Sequence, residues 1–163
     1  MTRSDLLEAF KVYTEDVTKN LIMPVRVQSK EEKQTYRAAE VYKMRLPDGT
    51  SAKKKAPYII HQIMTGSDVQ KEGVRTERKA TVRTIFCVYS DNEQEGGLML
   101  LNLMERLTIH LLKDRLLSKQ FRLDMESGIE TLCYPDDTAP YYGGEMITTW
   151  YLPPVSPEYP LRR

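Results

Sequence analysis

Residues 94–117 carry Leu98, Leu101, Met104, Leu107, Leu111 and Leu112 at helical spacings, and a broad apolar face of that length predicts one long central helix. At 1.5 Å per residue it would reach roughly 36 Å, enough to lie across the whole sheet of a small domain. Ser90, Asp91 and Asn92 offer N-caps, and Glu93 and Glu95 suit the positive end of the helix. Such a helix needs a wide apolar partner, and its neighbours in sequence supply one. Residues 58–64, with Ile59, Ile60 and Ile63, and residues 80–90, with Val82, Ile85, Phe86, Val88 and Tyr89, read as two strong strands. After the helix come strand candidates at 121–134, broken at Ser127 and Gly128, and at 145–152, where Pro153 and Pro154 end the run.

Upstream, Ser4 is a candidate N-cap, and Leu6, Leu7, Phe10, Tyr13, Val17 and Leu21 recur at three and four, predicting an amphipathic helix over 4–20 that Pro24 closes. Val41, Tyr42, Met44 and Leu46 before Pro47, Asp48 and Gly49 predict a short strand entering a hairpin, with Lys53, Lys54 and Lys55 in loop. The order of elements gives an α+β fold, a largely antiparallel or mixed sheet with the long central helix and the N-terminal helix packed on it. The expected organisation is one domain over 1–152 and an extended, proline-rich tail over 153–163, an arm able to reach a neighbour.

With 163 residues, 40% hydrophobic and 29% charged, and a mean hydropathy of −0.51, the chain can bury a core and keep a wide polar surface. No apolar run is long enough for a membrane span or resembles a signal peptide, so a soluble protein made in the cytosol is expected. Cys87 and Cys133 need not pair and read as buried small hydrophobes in strands. The net charge of +1 conceals an asymmetry: residues 26–83 hold fourteen basic and seven acidic side chains, residues 84–163 seven and twelve. Opposed charges of this kind suit copies that dock head to tail.

The segment 66–79 between the two strong strands is polar, with Lys71, Arg75, Arg78 and Lys79 among Asp68, Glu72 and Glu77. It reads as a loop longer than the ~2–5 residues a hairpin requires, and long loops are often functional. Asp68 followed by Glu77 and Lys79 resembles the carboxylate–lysine set of metal-dependent nucleases, but a polar loop would hold a metal poorly. Cys87, Cys133, His61 and His110 lack the close spacing of a zinc site. No nucleophile elbow is present, and Gly96 and Gly97, without a following Gly-Lys-Ser/Thr, start the helix or let it pack closely. The interspersed acids argue against a dedicated nucleic-acid binder. No catalytic, cofactor or metal residue is assigned.

Residues 135–153 are the most idiosyncratic stretch. A Pro-Tyr-x-Gly-Glu turn, here with both Gly143 and Gly144 before Glu145, leads into a strand ending Trp150, Tyr151, Leu152 and Pro153. This resembles the C-terminal signature of tail terminator, or tail-completion, proteins of tailed bacteriophages and prophages. Residues 56–60 (Ala-Pro-Tyr-Ile-Ile), the run 82–89, Gly96 and Gly97, and residues 101–106 (Leu-Asn-Leu-Met-Glu-Arg) resemble the same group, so the likeness covers roughly 100 of 163 residues. It implies a non-enzymatic virion protein, made in the cytoplasm of a bacterial host. Its copies would form a hexameric ring that caps the tail tube, stops its polymerisation and joins it to the head connector. The implied partners are other copies of the chain, the tail tube protein, a neck or head-completion protein and, in a contractile tail, the sheath, with DNA passing through the lumen unbound. A stopper protein of the neck is the alternative reading and a metal nuclease the remote one. Candidate subunit or tube contacts are Lys71, Glu72, Arg75, Arg78, Lys79, Gly143, Gly144 and Glu145. For the glycines a tight turn before a strand is the plainer reading, and Trp150 and Tyr151 read as core and sheet surface.

Overall fold

The computed structural model describes residues 1–27, 29–47 and 55–158. Helix α1 (Arg3–Thr18) begins not at Ser4 but at Thr2, whose hydroxyl accepts from the Asp5 N–H while the Asp5 carboxylate takes the Thr2 N–H. This reciprocal capping box satisfies two otherwise orphaned donors and moves the start of the helix upstream. A small ribbon follows, β1 (Met23–Val25) antiparallel to β2 (Thr35–Arg37). The remaining elements are β3 (Glu40–Lys43), β4 (Tyr58–Val69), β5 (Glu77–Tyr89), α2 (Glu93–Asp114), β6 (Leu116–Leu117), β7 (Phe121–Leu123), β8 (Glu130–Cys133) and β9 (Tyr141–Leu152). Their sheet order is β3-β4-β5-β9-β7-β6, with β8 also paired to β9. The α+β architecture is the expected one, a mixed sheet with two helices.

Strand alternation sorts the sheet into two faces. Val82, Phe86 and Val88 of β5 and Met146, Trp150 and Leu152 of β9 pack with Leu6 and Phe10 of α1 and Leu103, Leu107 and Leu111 of α2 in the main core. On the opposite face Ala56, Tyr58, Ile60 and Tyr141 form a second, smaller cluster. Trp150 is fully buried and Tyr151 lies on the outer face, as the period of two requires.

Several local expectations are corrected. β3 does not enter a hairpin: it pairs in parallel with β4, Val41 beside Ile59, and Asp48, Gly49, Lys53 and Lys54 lie outside the described residues. The polar stretch 66–79 is not mainly loop. β4 and β5 stay paired out to Val69 opposite Glu77, leaving residues 70–76 as the connection, because cross-strand polar pairs such as Asp68 and Arg78 stabilise an exposed ladder without apolar side chains. Gly143 and Gly144 lie inside β9, not in a turn before it. Cys133 is exposed on β8, which among the described residues pairs only with β9 and shows all four side chains to solvent.

The largest correction concerns α2. Its buried residues are Gly96, Leu100, Leu103, Met104, Leu107 and Leu111, whereas Leu98, Leu101, Ile109 and Leu112 are exposed. At ~100° per residue these four fall within about 80° of one another, nearly opposite the core face. The broad apolar face of the sequence is thus two stripes, and the protein's own sheet covers one. Finally, the boundary between the basic and acidic segments falls at Arg83, in the middle of β5.

Candidate functional site

The sequence candidates fall at two places along β5 and β9. At the hairpin end, Lys71, Glu72 and Arg75 occupy the exposed connection, and Arg78 and Lys79 begin β5. Arg78 lies on the helix-bearing face. Its Nε donates to Asp68 Oδ1 at 2.8 Å and its Nη1 to the Met1 carbonyl at 2.9 Å. Arg3 of α1 joins this network, Nη2 donating to the Lys79 carbonyl at 2.8 Å and to Asp68 at 3.2 Å. Its guanidinium crosses Gly66, where a Cβ would sit 2.6 Å from Arg3 Nε. Hydrogen bonds from Arg78 and Arg3 hold the Asp68 carboxyl below the usual carboxylate range. The cluster clamps α1 to the hairpin.

Lys79 points to the other face. Its Nζ lies 3.6 Å from Glu77 and 3.4 Å from Asp124, and 4.8 Å from the Tyr151 ring centroid, over which Arg122 also stacks at 4.3 Å. Asp124 is 3% exposed. Burial pushes its carboxyl up, but hydrogen bonds from Ser127, the Glu126 N–H and Lys79 outweigh that and leave it below its ordinary value. Arg75, Arg78, Gln120, Arg122 and Tyr151 line a cleft of about 430 Å³ here. Among the described residues, Arg75 has no hydrogen-bond or ion-pair partner, and Arg122 has only the ring.

This geometry separates the nuclease-like set. Asp68 is directly opposite Arg78 in the ladder and Ser67 opposite Lys79, so Asp68 faces the helices while Glu77 and Lys79 face away, across the thickness of the sheet. Among the described residues no group of three or more His, Cys, Asp or Glu converges to hold a metal.

The second group lies six residues along β9, about 20 Å from the hairpin end. Glu145 receives Arg83 Nε at 2.5 Å, and Arg83 also reaches the Tyr134 hydroxyl at 3.4 Å. Gly144 is a packing residue: a Cβ would stand 2.8 Å from the Leu132 carbonyl and 2.9 Å from Met104 Sδ. Gly143 lies under the Tyr134 ring, and Gly96 admits the Tyr142 ring against α2. The eight candidate contacts therefore fall in two groups along the sheet, the first divided between its two faces and the second including the buried Gly144.

Neither the models of known protein families nor the curated protein sequences match this chain. The functional reading rests on its own surfaces.

Two features escaped the sequence reading. One is the outer stripe of α2, for which the signal was an apolar arc too wide for one buried face. The other is His61, fully buried on β4. Its Nε2 and Nδ1 each lie 2.8 Å from a hydroxyl, those of Thr14 and Thr84, and Phe10 stacks on its ring at 3.8 Å. Burial pushes the imidazole down to about 3, so the neutral ring donates to one threonine and accepts from the other. Among the described residues, no helix is long and apolar enough to cross a membrane.

Proposed function

We propose that this chain is a ring-forming structural subunit of a phage-type tail, a tail terminator that caps the tube and joins it to the neck. The observation that carries the reading is the second apolar stripe of α2. Leu98, Leu101, Ile109 and Leu112 lie on the helix face turned from the core, as two pairs with Glu105 between them, and large apolar side chains exposed together on one helix face suit an assembly contact. Two further features fit. The exposed strand β8 carries an edge that another chain can extend. The idiosyncratic segment 135–153 builds β9 and the turn leading into it, and thereby the scaffold rather than a pocket. In this reading the partners are other copies of the chain, the tube protein, a neck protein and, in a contractile tail, the sheath. The ring is a hexamer, DNA passes through its lumen, and the protein resides in the virion.

The test is negative-stain microscopy of the purified protein, alone and mixed with tail tubes. Rings or density capping one tube end are the expected result. Protein that ignores tubes and binds portal-containing heads would transfer it to the neck as a stopper, and protein that binds neither would refute the virion role.

A further inference from the structure

Leu21 and Ile22, between α1 and β1, form one wall of an apolar groove of about 290 Å³, and Glu95, Leu98, Met99 and Asn102 of α2 form the other. Ile22 and Leu98, 67% and 61% exposed, are the two most exposed large apolar side chains among the described residues. One exposed acid, Glu95, lines the groove in the first turn of α2. The chain contains a segment of matching chemistry. Beyond Glu158 come Tyr159, Pro160, Leu161, Arg162 and Arg163, two apolar anchors followed by two cations. Pro157 and Pro160 oppose helix formation and lower the ordering cost of an extended docking segment.

The segment cannot serve the groove of its own molecule. It leaves the sheet at Leu152, opposite Arg78 at the hairpin end, and the Val155 carbonyl accepts from Gln70 Nε2 at 2.8 Å, out by the hairpin connection. The groove lies at the other end, where Gly96 packs on Tyr142. Ten strand residues separate Tyr142 from Leu152, about 33 Å, whereas the six steps from Val155 to Leu161 span at most about 22 Å. We infer that the groove takes the 155–163 segment of a second copy, with Tyr159 and Leu161 against Ile22, Leu98 and Met99 and the arginines against Glu95. Groove and segment lie at opposite ends of one molecule, so the contact is head-to-tail and repeats from copy to copy, as in a closed ring. The inference deepens the ring-subunit reading and rests on it.

Cross-linking of two full-length variants tests it, Leu98→Cys in one and Leu161→Cys in the other, both with Cys133→Ser to remove the exposed native thiol. Mixed under mild oxidation, they should form a disulfide-linked dimer at least about tenfold faster than a control pair of Val12→Cys, exposed on α1, with Leu161→Cys, because docking raises the effective thiol concentration. Adding Ile22→Asp to the Leu98→Cys chain should return the rate to that of the control. A rate equal to the control, while the unmodified protein still forms rings or caps tubes, would overturn the tail-in-groove contact and leave the ring reading standing. Unmodified protein that neither self-associates nor binds tubes would remove the ring reading and this inference with it.

Discussion

Lowering the pH from 7.5 to 4.5 should destabilise the protein by an amount set mainly by His61. The unfolded chain binds a proton at His61 with a pKa near 6.5, whereas in the fold burial moves it to about 3. Between these values the unfolded state holds one more proton than the folded state, so stability is fully present above about 6.5 and lost as the pH falls toward 3. At ~1.4 kcal/mol per unit, the two units from 6.5 to 4.5 remove about 3 kcal/mol, a large share of the roughly 5–15 kcal/mol that holds a domain together. Asp68 and Asp124, held below their ordinary value of 3.8, lose their contributions only at lower pH and leave this window to the histidine. Urea unfolding followed by the fluorescence of Trp150 would measure it. Trp150 is the chain's single tryptophan, fully buried, and meets Phe10 edge-on at 5.3 Å, while Phe10 stacks on His61. The His61→Gln variant should be less stable at pH 7.5 yet nearly flat across the window. A loss below about 1 kcal/mol in the unmodified protein, or an equal slope in the variant, would refute a neutral, threonine-bridged His61.

Three further outcomes are expected. Gly144→Ala should cost about 1–3 kcal/mol and lower the melting temperature, since its Cβ would meet a backbone carbonyl at 2.8 Å; Gly143→Ala, which meets the Tyr134 ring at 3.0 Å, should cost less because that partly exposed ring can turn aside. In thermal melts Thr2→Ala should cost about 1 kcal/mol through loss of its capping box, and Ser4→Ala should lie within about 0.5 kcal/mol of the unmodified protein. Leu98→Glu with Leu112→Glu should leave urea stability within about 1 kcal/mol yet reduce particle size in light scattering, whereas Leu107→Ala in the core should cost about 2–5 kcal/mol.

The parts of the fold legible in the sequence were those where one physical signal dominated. Asn92 capped a strongly periodic helix as expected, and the break at Ser127 and Gly128 falls where Asp124 takes the Glu126 N–H and the Ser127 hydroxyl and Gly128 adopts φ 73°. The hairpin end is not legible in the sequence because apolar alternation stops at Ile63, while the ladder continues through Asp68 and Arg78 on charge pairing and backbone hydrogen bonds. The α2 stripes were merged because periodicity reports that a residue is apolar, not which of two opposite arcs the sheet covers. The sequence spacing of Cys87, Cys133, His61 and His110 argues against a zinc site but does not reveal the role of His61, because its partners, Thr14 and Thr84, are 47 and 23 residues away in sequence and only the packing of α1 on the sheet brings them to the ring. Of the candidate contacts, Arg78, Gly144 and Glu145 are engaged within the molecule, while Arg75 stays available at the hairpin cleft.

The position of β9 in the chain has a consequence for synthesis. Among the described residues it follows every other strand and helix in sequence, yet it sits inside the sheet, with β5 along one side and β7 and β8 along the other. A nascent chain that has passed residue 140 can form the β4–β5 hairpin and α2, but β5 then carries an open edge twelve residues long. Completion of the sheet therefore waits for residues 141–152, a late and sequence-distant pairing that slows folding. Until that strand arrives, β5 is exposed to unintended pairing with other chains. A product truncated before residue 141 would lack the strand that closes the fold and the β9-dependent surface, and so would be excluded from any assembly that requires them.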